Sequence, residues 1–295
     1  MVFKKMYSKI FLSAGLIGIM NFGTLYAPWV PTACYAALAS ENTSVSGETE
    51  NCNSIEEEIR KGEVRKLGSV CTMDLDQDGM EETISFAVDR ADDYGTDSYT
   101  IQVGNQSFTD VGENIDENLY GISLDGSEIL LIVHEYVPSD DPLSTFFRYD
   151  GSTLSSAGQI SSWPENFRIE NGKIKTKIRC NVMGTLAIET QWKLNEEGVL
   201  TMERQGEYKY GADFTYPGES DDFYAYLKEP LPVYKEHNIL SETEMMNPQK
   251  VRFPYTDGEN WAYVEGESGQ GGWIFAGGWP YNRQQEVFDG LKYFD

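Results

Sequence analysis

Apolar and polar residues alternate along most of this chain, and the period is two. In 83–88, Ile84, Phe86 and Val88 are separated by Ser85 and Ala87, the spacing of a strand with one face turned inward. The same reading predicts strands at 99–103, 129–133, 173–179 and Leu186–Leu194, the last with Leu186, Ile188, Trp192 and Leu194 on one face. Asp125-Gly126, Asp150-Gly151 and Asn171-Gly172 each stand between apolar runs, and such pairs suit hairpin turns that need positive φ. A helical signal is confined to one place. Ser54-Ile55-Glu56-Glu57 forms a capping box, Ile55 and Ile59 are one turn apart, and Gly62 is a natural stop. The pattern therefore predicts a mainly β fold, built as antiparallel meanders.

Segment by segment, the prediction is a signal peptide over 1–39, an acidic tether and the start of the short helix over 40–58, and a β-rich, blade- or meander-like domain over 59–227. The last is long enough to bury a core of its own. Glu229-Pro230-Leu231-Pro232 then leads into a further unit, 228–295. There Val251-Arg252-Phe253, Trp261-Ala262-Tyr263-Val264 and Gly272-Trp273-Ile274-Phe275 are short strand-like runs around the glycine-rich stretch from Gly266 to Gly271. Asp257-Gly258-Glu259-Asn260-Trp261 followed by Gly272-Trp273 resembles a bacterial SH3-like domain. The resemblance implies a small SH3-like barrel that binds a peptide or a cell-wall component. In so small a unit, Trp261 and Trp273 are expected to pack inside. Trp279, Tyr281 and Tyr263 are the candidate ligand contacts, Trp279 because it sits in a Gly-Gly-Trp-Pro loop.

The chemistry that stands out lies in Asp74-Leu75-Asp76-Gln77-Asp78-Gly79-Met80-Glu81-Glu82. Two carboxylates about 4 Å apart repel by roughly 4 kcal/mol at an effective dielectric of about 20, so converging three of them calls for a neutralising cation. A hard dication held by oxygens answers that need. Counted from Asp74, the loop follows an EF-hand as far as Glu82 at position nine, but position twelve is Ser85, inside a strand-like run. An Asp-rich loop leading into a strand resembles the calcium loops of the FG-GAP and VCBS repeat families. That resemblance covers about a dozen residues and implies structural calcium held by Asp74, Asp76, Asp78, the Met80 carbonyl and Glu82, with Gly79 allowing the bend. Gln77 replaces the usual small turn residue, and the loop occurs once rather than blade after blade. The alternative is an acidic surface turn that holds no metal.

Lys4, Lys5 and Lys9 precede an apolar run, and no further charge appears before Glu41. This is the pattern of a secretory signal, with Ala37-Leu38-Ala39 or Cys34-Tyr35-Ala36 as the cleavage motif; a retained membrane anchor and lipid attachment at Cys34 are the competing readings. The expected address is secreted or cell-surface, in a bacterium. The chain carries 23 basic and 48 acidic residues. Cleavage would remove three lysines, leaving 20 against 48 and a net charge of −28, so nucleic acid and anionic lipid surfaces are not expected partners. Lys173, Lys175, Lys177 and Arg179 share one face of their predicted strand, which reads as a lysine-guarded edge or as pairing with an acidic neighbour. Cys52, Cys71 and Cys180 would remain after cleavage, with no zinc-like spacing; one disulfide plus a thiol, or three thiols, are both open.

The two histidines, His134 and His237, fall in different predicted units, which disfavours a Ser-His-Asp or Cys-His site. His134 beside an apolar run reads as a core or rim residue. The leading functional expectation is a non-catalytic binding protein with a structural calcium loop. The alternative is an extracellular hydrolase acting on carbohydrate through a carboxylate pair, and a third reading is a spacer in a surface assembly. Oligomeric state is not legible here.

Overall fold

The computed structural model describes residues 52–90, 96–137, 141–211 and 224–293. The predicted signal segment, Cys34 and the tether up to residue 51 lie outside them. Helix α1 (Cys52–Arg60) begins two residues before the predicted cap. It turns Ile59 fully inward, while Arg60 pairs with Glu56 one turn back at 2.8 Å.

After β1 (Arg65–Leu67) come β2 (Val70–Met73), β3 (Glu82–Asp89), β4 (Asp97–Val103) and β5 (Gln106–Gly112), and these last four form a meander in chain order. Next, β6 (Ile115–Ile122), β7 (Leu130–Val137), β8 (Asp141–Tyr149) and β9 (Leu154–Ile160) make a second meander, with β1 added against β6. A 3-10 turn, Pro164–Asn166, leads into β10 (Arg168–Glu170), β11 (Lys173–Cys180), β12 (Leu186–Leu194), β13 (Leu200–Met202) and β14 (Tyr208–Gly211). The remainder is β15 (Tyr224–Leu227), β16 (Leu231–Tyr234), β17 (Thr243–Met246), β18 (Lys250–Thr256), β19 (Trp261–Gly266), β20 (Gly271–Phe275), α2 (Tyr281–Val287) and β21 (Phe288–Asp289). All pairings among the described strands are antiparallel, so the protein is mainly β as its patterning predicts.

The run Ile129-Leu130-Leu131-Ile132-Val133 is apolar at every position because β7 is covered on both faces. Leu131 and Val133 join a core with α1 and the β2–β5 meander, whereas Leu130 and Ile132 join another with Phe146, Phe167 and Ile174. The central meander is thus the middle of three layers, and a strand buried on both sides has no polar alternate positions to fill.

The third sheet runs β10-β11-β12-β14-β18-β19-β20-β16-β17, with β15 also pairing β18. Hydrogen-bonded strands therefore cross position 228, where the sequence predicts a boundary: Tyr208 pairs Thr256 and Ala225 pairs Val251. One core runs across it as well, joining Cys180, Leu186 and Tyr210 to Val233, Val251 and Ile274.

The structure selects the second of the two readings of the lysine strand and adds a helix. Strand β11 lies between β10 and β12 rather than at an edge, and its lysines face acids: Lys173 pairs with Glu203 at 2.6 Å and Lys175 with Glu189 at 3.0 Å. Helix α2 was not expected, because its cap is Pro280 without a side-chain hydrogen bond and Asn282-Arg283-Gln284-Gln285-Glu286 offers no apolar periodicity. It is held instead by buried Gln284, whose side-chain Oε1 accepts the Gly184 N–H at 2.8 Å.

Candidate functional site

The acidic loop joins β2 to β3 and hangs from a buried anchor. Leu75 is fully buried and its carbonyl accepts the Ile129 N–H at 2.8 Å, while the Arg60 guanidinium donates to the Asp74 carbonyl. Between these points the chain folds each carboxylate back on the loop's own amides. Asp74 accepts from Gly79 N–H at 3.0 Å, Asp76 from Asp78 N–H at 3.2 Å and Asp78 from Met80 N–H at 2.7 Å. Gly79 at φ 88° and Gln77 at φ 65° supply the left-handed bends. A non-glycine residue there costs about 1–2 kcal/mol.

One oxygen from each of Asp74, Asp76 and Asp78 lies within 4.8 Å of the others, an arrangement able to hold a metal ion. Asp74 Oδ1 is buried with no hydrogen-bond partner, a costly state for a carboxylate oxygen unless a cation faces it. The other two predicted ligands border this group. Glu82 accepts the Leu75 N–H at 2.9 Å, and burial first, then the charges of Asp76, Asp74 and Asp78, holds its carboxyl above the usual range. Met80 turns its side chain to solvent, leaving its main chain as the only part that could serve. A neighbour comes from the β8–β9 turn, which sequence reasoning did not connect to the loop: a Cβ on Gly151 would stand 2.6 Å from Asp76 Oδ2.

The predicted aromatic contacts divide. Tyr263 lies in a row of cross-strand partners, Tyr255↔Tyr263↔Trp273↔Tyr234, that crosses β18, β19, β20 and β16. Alternate residues Ala262, Val264 and Ile274 point into the core, so the row occupies the opposite, solvent-facing side. Trp261 and Phe275, paired two positions along on the same face, extend it. Ring centroids are 6.2 Å apart for Tyr255 and Tyr263, 5.4 Å for Tyr263 and Trp273 and 5.2 Å for Trp261 and Phe275. The two tryptophans are buried as expected, though by this outer layer and His237 rather than by the inner core. Tyr255 and Phe275 remain 42% exposed.

Trp279 and Tyr281 sit elsewhere. Trp279 packs half-buried on the inner core with the Arg283 guanidinium 5.6 Å from its ring, and Tyr281 opens α2 against Tyr293 at 4.2 Å. Sequence reasoning passed over Tyr234 and Tyr255. The signal for the row was present: Trp261, Tyr263, Trp273 and Phe275 fall on the alternate positions that a one-sided strand would make polar.

His134 is fully buried, as expected of a core residue. Its Nδ1 meets Ser144 Oγ at 3.3 Å, its ring lies 4.8 Å from both Tyr136 and Trp163, and burial keeps the imidazole below its ordinary pKa and neutral. Beside it is a carboxylate pair the sequence did not single out. The Tyr120 hydroxyl is 2.7 Å from Asp116 Oδ2 and 3.3 Å from Glu165 Oε1, at the wall of an open groove of about 540 Å³ between α1, β1 and β6. One phenolic proton cannot satisfy both carboxylates. It goes to Asp116, whose carboxyl, despite its burial, is held below the usual range by Tyr120 and Asn118.

No helix among the described residues is long and apolar enough to cross a membrane. No protein-family model, curated protein or solved structure matches this chain.

Proposed function

We propose that this is a non-catalytic secreted or cell-surface binding protein, in which a calcium-stabilised loop secures the first two layers and an SH3-like C-terminal part takes up a peptide or cell-wall ligand. The observation that carries this reading is the aromatic row on the solvent face of the third sheet. Outer faces of antiparallel sheets are ordinarily polar, whereas here Tyr255 and Phe275 stay exposed beside two buried tryptophans, and apolar groups gathered on one outer face mark an interaction site. Four adjacent strands give a strip about 15 Å long at the usual strand spacing. The nearby charges Arg252 and Glu265 neutralise each other at 2.7 Å, so the strip itself attracts no polyion.

Co-sedimentation of the whole described chain with purified bacterial cell wall tests this. The isolated segment 228–295 is unsuitable because it shares its core with residues before 228. Tyr263→Ala is expected to weaken retention about tenfold or more, in line with the loss of an aromatic hot spot, with the β fold retained by circular dichroism. Retention no better than that of an unrelated acidic protein sinks the reading.

For the loop we propose calcium. Its oxygen-only donors suit a hard cation, and the buried unpartnered oxygen of Asp74 supports an ion there. Gly151→Ala should displace the Asp76 carboxylate, weakening calcium binding in calorimetry and costing about 1–2 kcal/mol in urea denaturation for its φ of 85°.

A second reading has its own observation. Glu165 lines an open groove and Asp116 is buried on the other side of the Tyr120 hydroxyl, two acids close together of the kind a carbohydrate hydrolase would use. Turnover on a glycoside panel that disappears in Glu165→Gln would favour this over the binding protein.

A further inference from the structure

Of the three described cysteines, two share a core. Cys71 in β2 is buried in the layer between α1 and the first two sheets, and Cys52, the first residue of α1, packs against that same cluster. Helix α1 packs against β2 and β6, and on the β6 side Ile59 is fully buried and comes within 2.7 Å of where a Cβ on Gly121 would stand. The two groups are also close enough for ionisation of one to disfavour ionisation of the other. Burial first, and Cys52 second, push the Cys71 thiol up to about 12. Cys180 belongs to a different core, where its Sγ is 3.7 Å from the Tyr210 hydroxyl.

We propose that Cys52 and Cys71 form an intramolecular disulfide that clamps α1 onto β2, immediately before the acidic loop. Both side chains are thiols in this structure, so the bond requires an oxidant, and a small-molecule disulfide is the class we assign. Half-buried Cys52 loses its proton and attacks one sulfur of that disulfide, forming a mixed disulfide and releasing one thiolate. The Cys71 thiolate then attacks Cys52 Sγ, the protein disulfide forms, and the second small thiolate leaves. Two protein thiols are oxidised, one small disulfide is reduced to two thiols, and the two protons pass to the released thiolates. The exported reading bears only on where an oxidant is met, and the chemistry is tested without it.

The experiment incubates the folded protein with oxidised glutathione, alkylates remaining thiols, and maps peptides without reduction. The expected result is a 52–71 linkage with Cys180 alkylated. Oxidation should raise the melting temperature by about 5–10 °C, as is typical for a bond closing a loop of this size. That rise should vanish in Cys52→Ser and persist in Cys180→Ser. Persistent alkylation of both cysteines, glutathione left on Cys52, or a bond to Cys180 each overturns the proposal. Cys52→Ser is the primary variant because its half-exposed site tolerates the hydroxyl, whereas Cys71→Ser buries one.

Discussion

Replacing Asp76 with alanine is expected to raise the dissociation constant for calcium about 100-fold or more, enough to abolish binding at millimolar concentration. Extracellular calcium modules begin near 10⁻⁴ to 10⁻³ M. Removing one of three converging carboxylates takes away a charge–charge attraction of several kcal/mol even at an effective dielectric of about 20. Asp76 is the most exacting choice because it touches both the loop, through the Asp78 N–H, and the β8–β9 turn, through Gly151. The effect on stability has the opposite scale. At ten times the dissociation constant, calcium adds only about 1.4 kcal/mol, so chelation should lower the melting temperature by a few degrees and Asp76→Ala should erase that difference. Calorimetric titration and melts with and without chelator read the two quantities separately. Equal heats from the variant and the parent protein would remove the metal from the loop.

Phe147→Ala is expected to cost about 3–5 kcal/mol in urea denaturation, the range for deleting a fully buried aromatic side chain. Phe147 is wholly buried and its ring contacts Phe108 at 4.8 Å and Tyr99 at 6.2 Å. It thereby joins β8 of the central meander to β4 and β5 of the first. A cavity there separates two layers rather than loosening one, so unfolding should remain a single transition at lower denaturant. A cost below about 1 kcal/mol would mean that the two meanders do not rest on each other through this ring.

Strand positions were legible where a one-sided alternation runs long, and not in short strands such as β15 and β16. Leu186–Leu194 is read to the residue, and the strand predicted at 99–103 begins only two residues earlier in the structure. The layering was not legible, because the run 129–133 announces burial without saying which sheets cover it. The sheet across position 228 was hidden for a related reason. Pro230 and Pro232 look like a linker, yet Leu231 and Val233 between them point into the core, and sequence alone does not report a pairing between Tyr208 and Thr256. The acidic loop was read as a unit because all three aspartates lie within five residues. The carboxylates of Asp116 and Glu165 are distant along the chain and meet only through Tyr120.

The ladder between β14 and β18 also governs the order of assembly. A chain delivered from its N-terminus completes both meanders by residue 160, but β14 has no partner on its far side until residue 256 has followed. During that interval an unpaired strand edge, with the apolar side chains Tyr208 and Tyr210 beside it, faces solvent. Such an edge recruits other chains. Newly made protein halted or clipped before residue 256 should therefore aggregate more readily than the full chain, in which that edge is sealed.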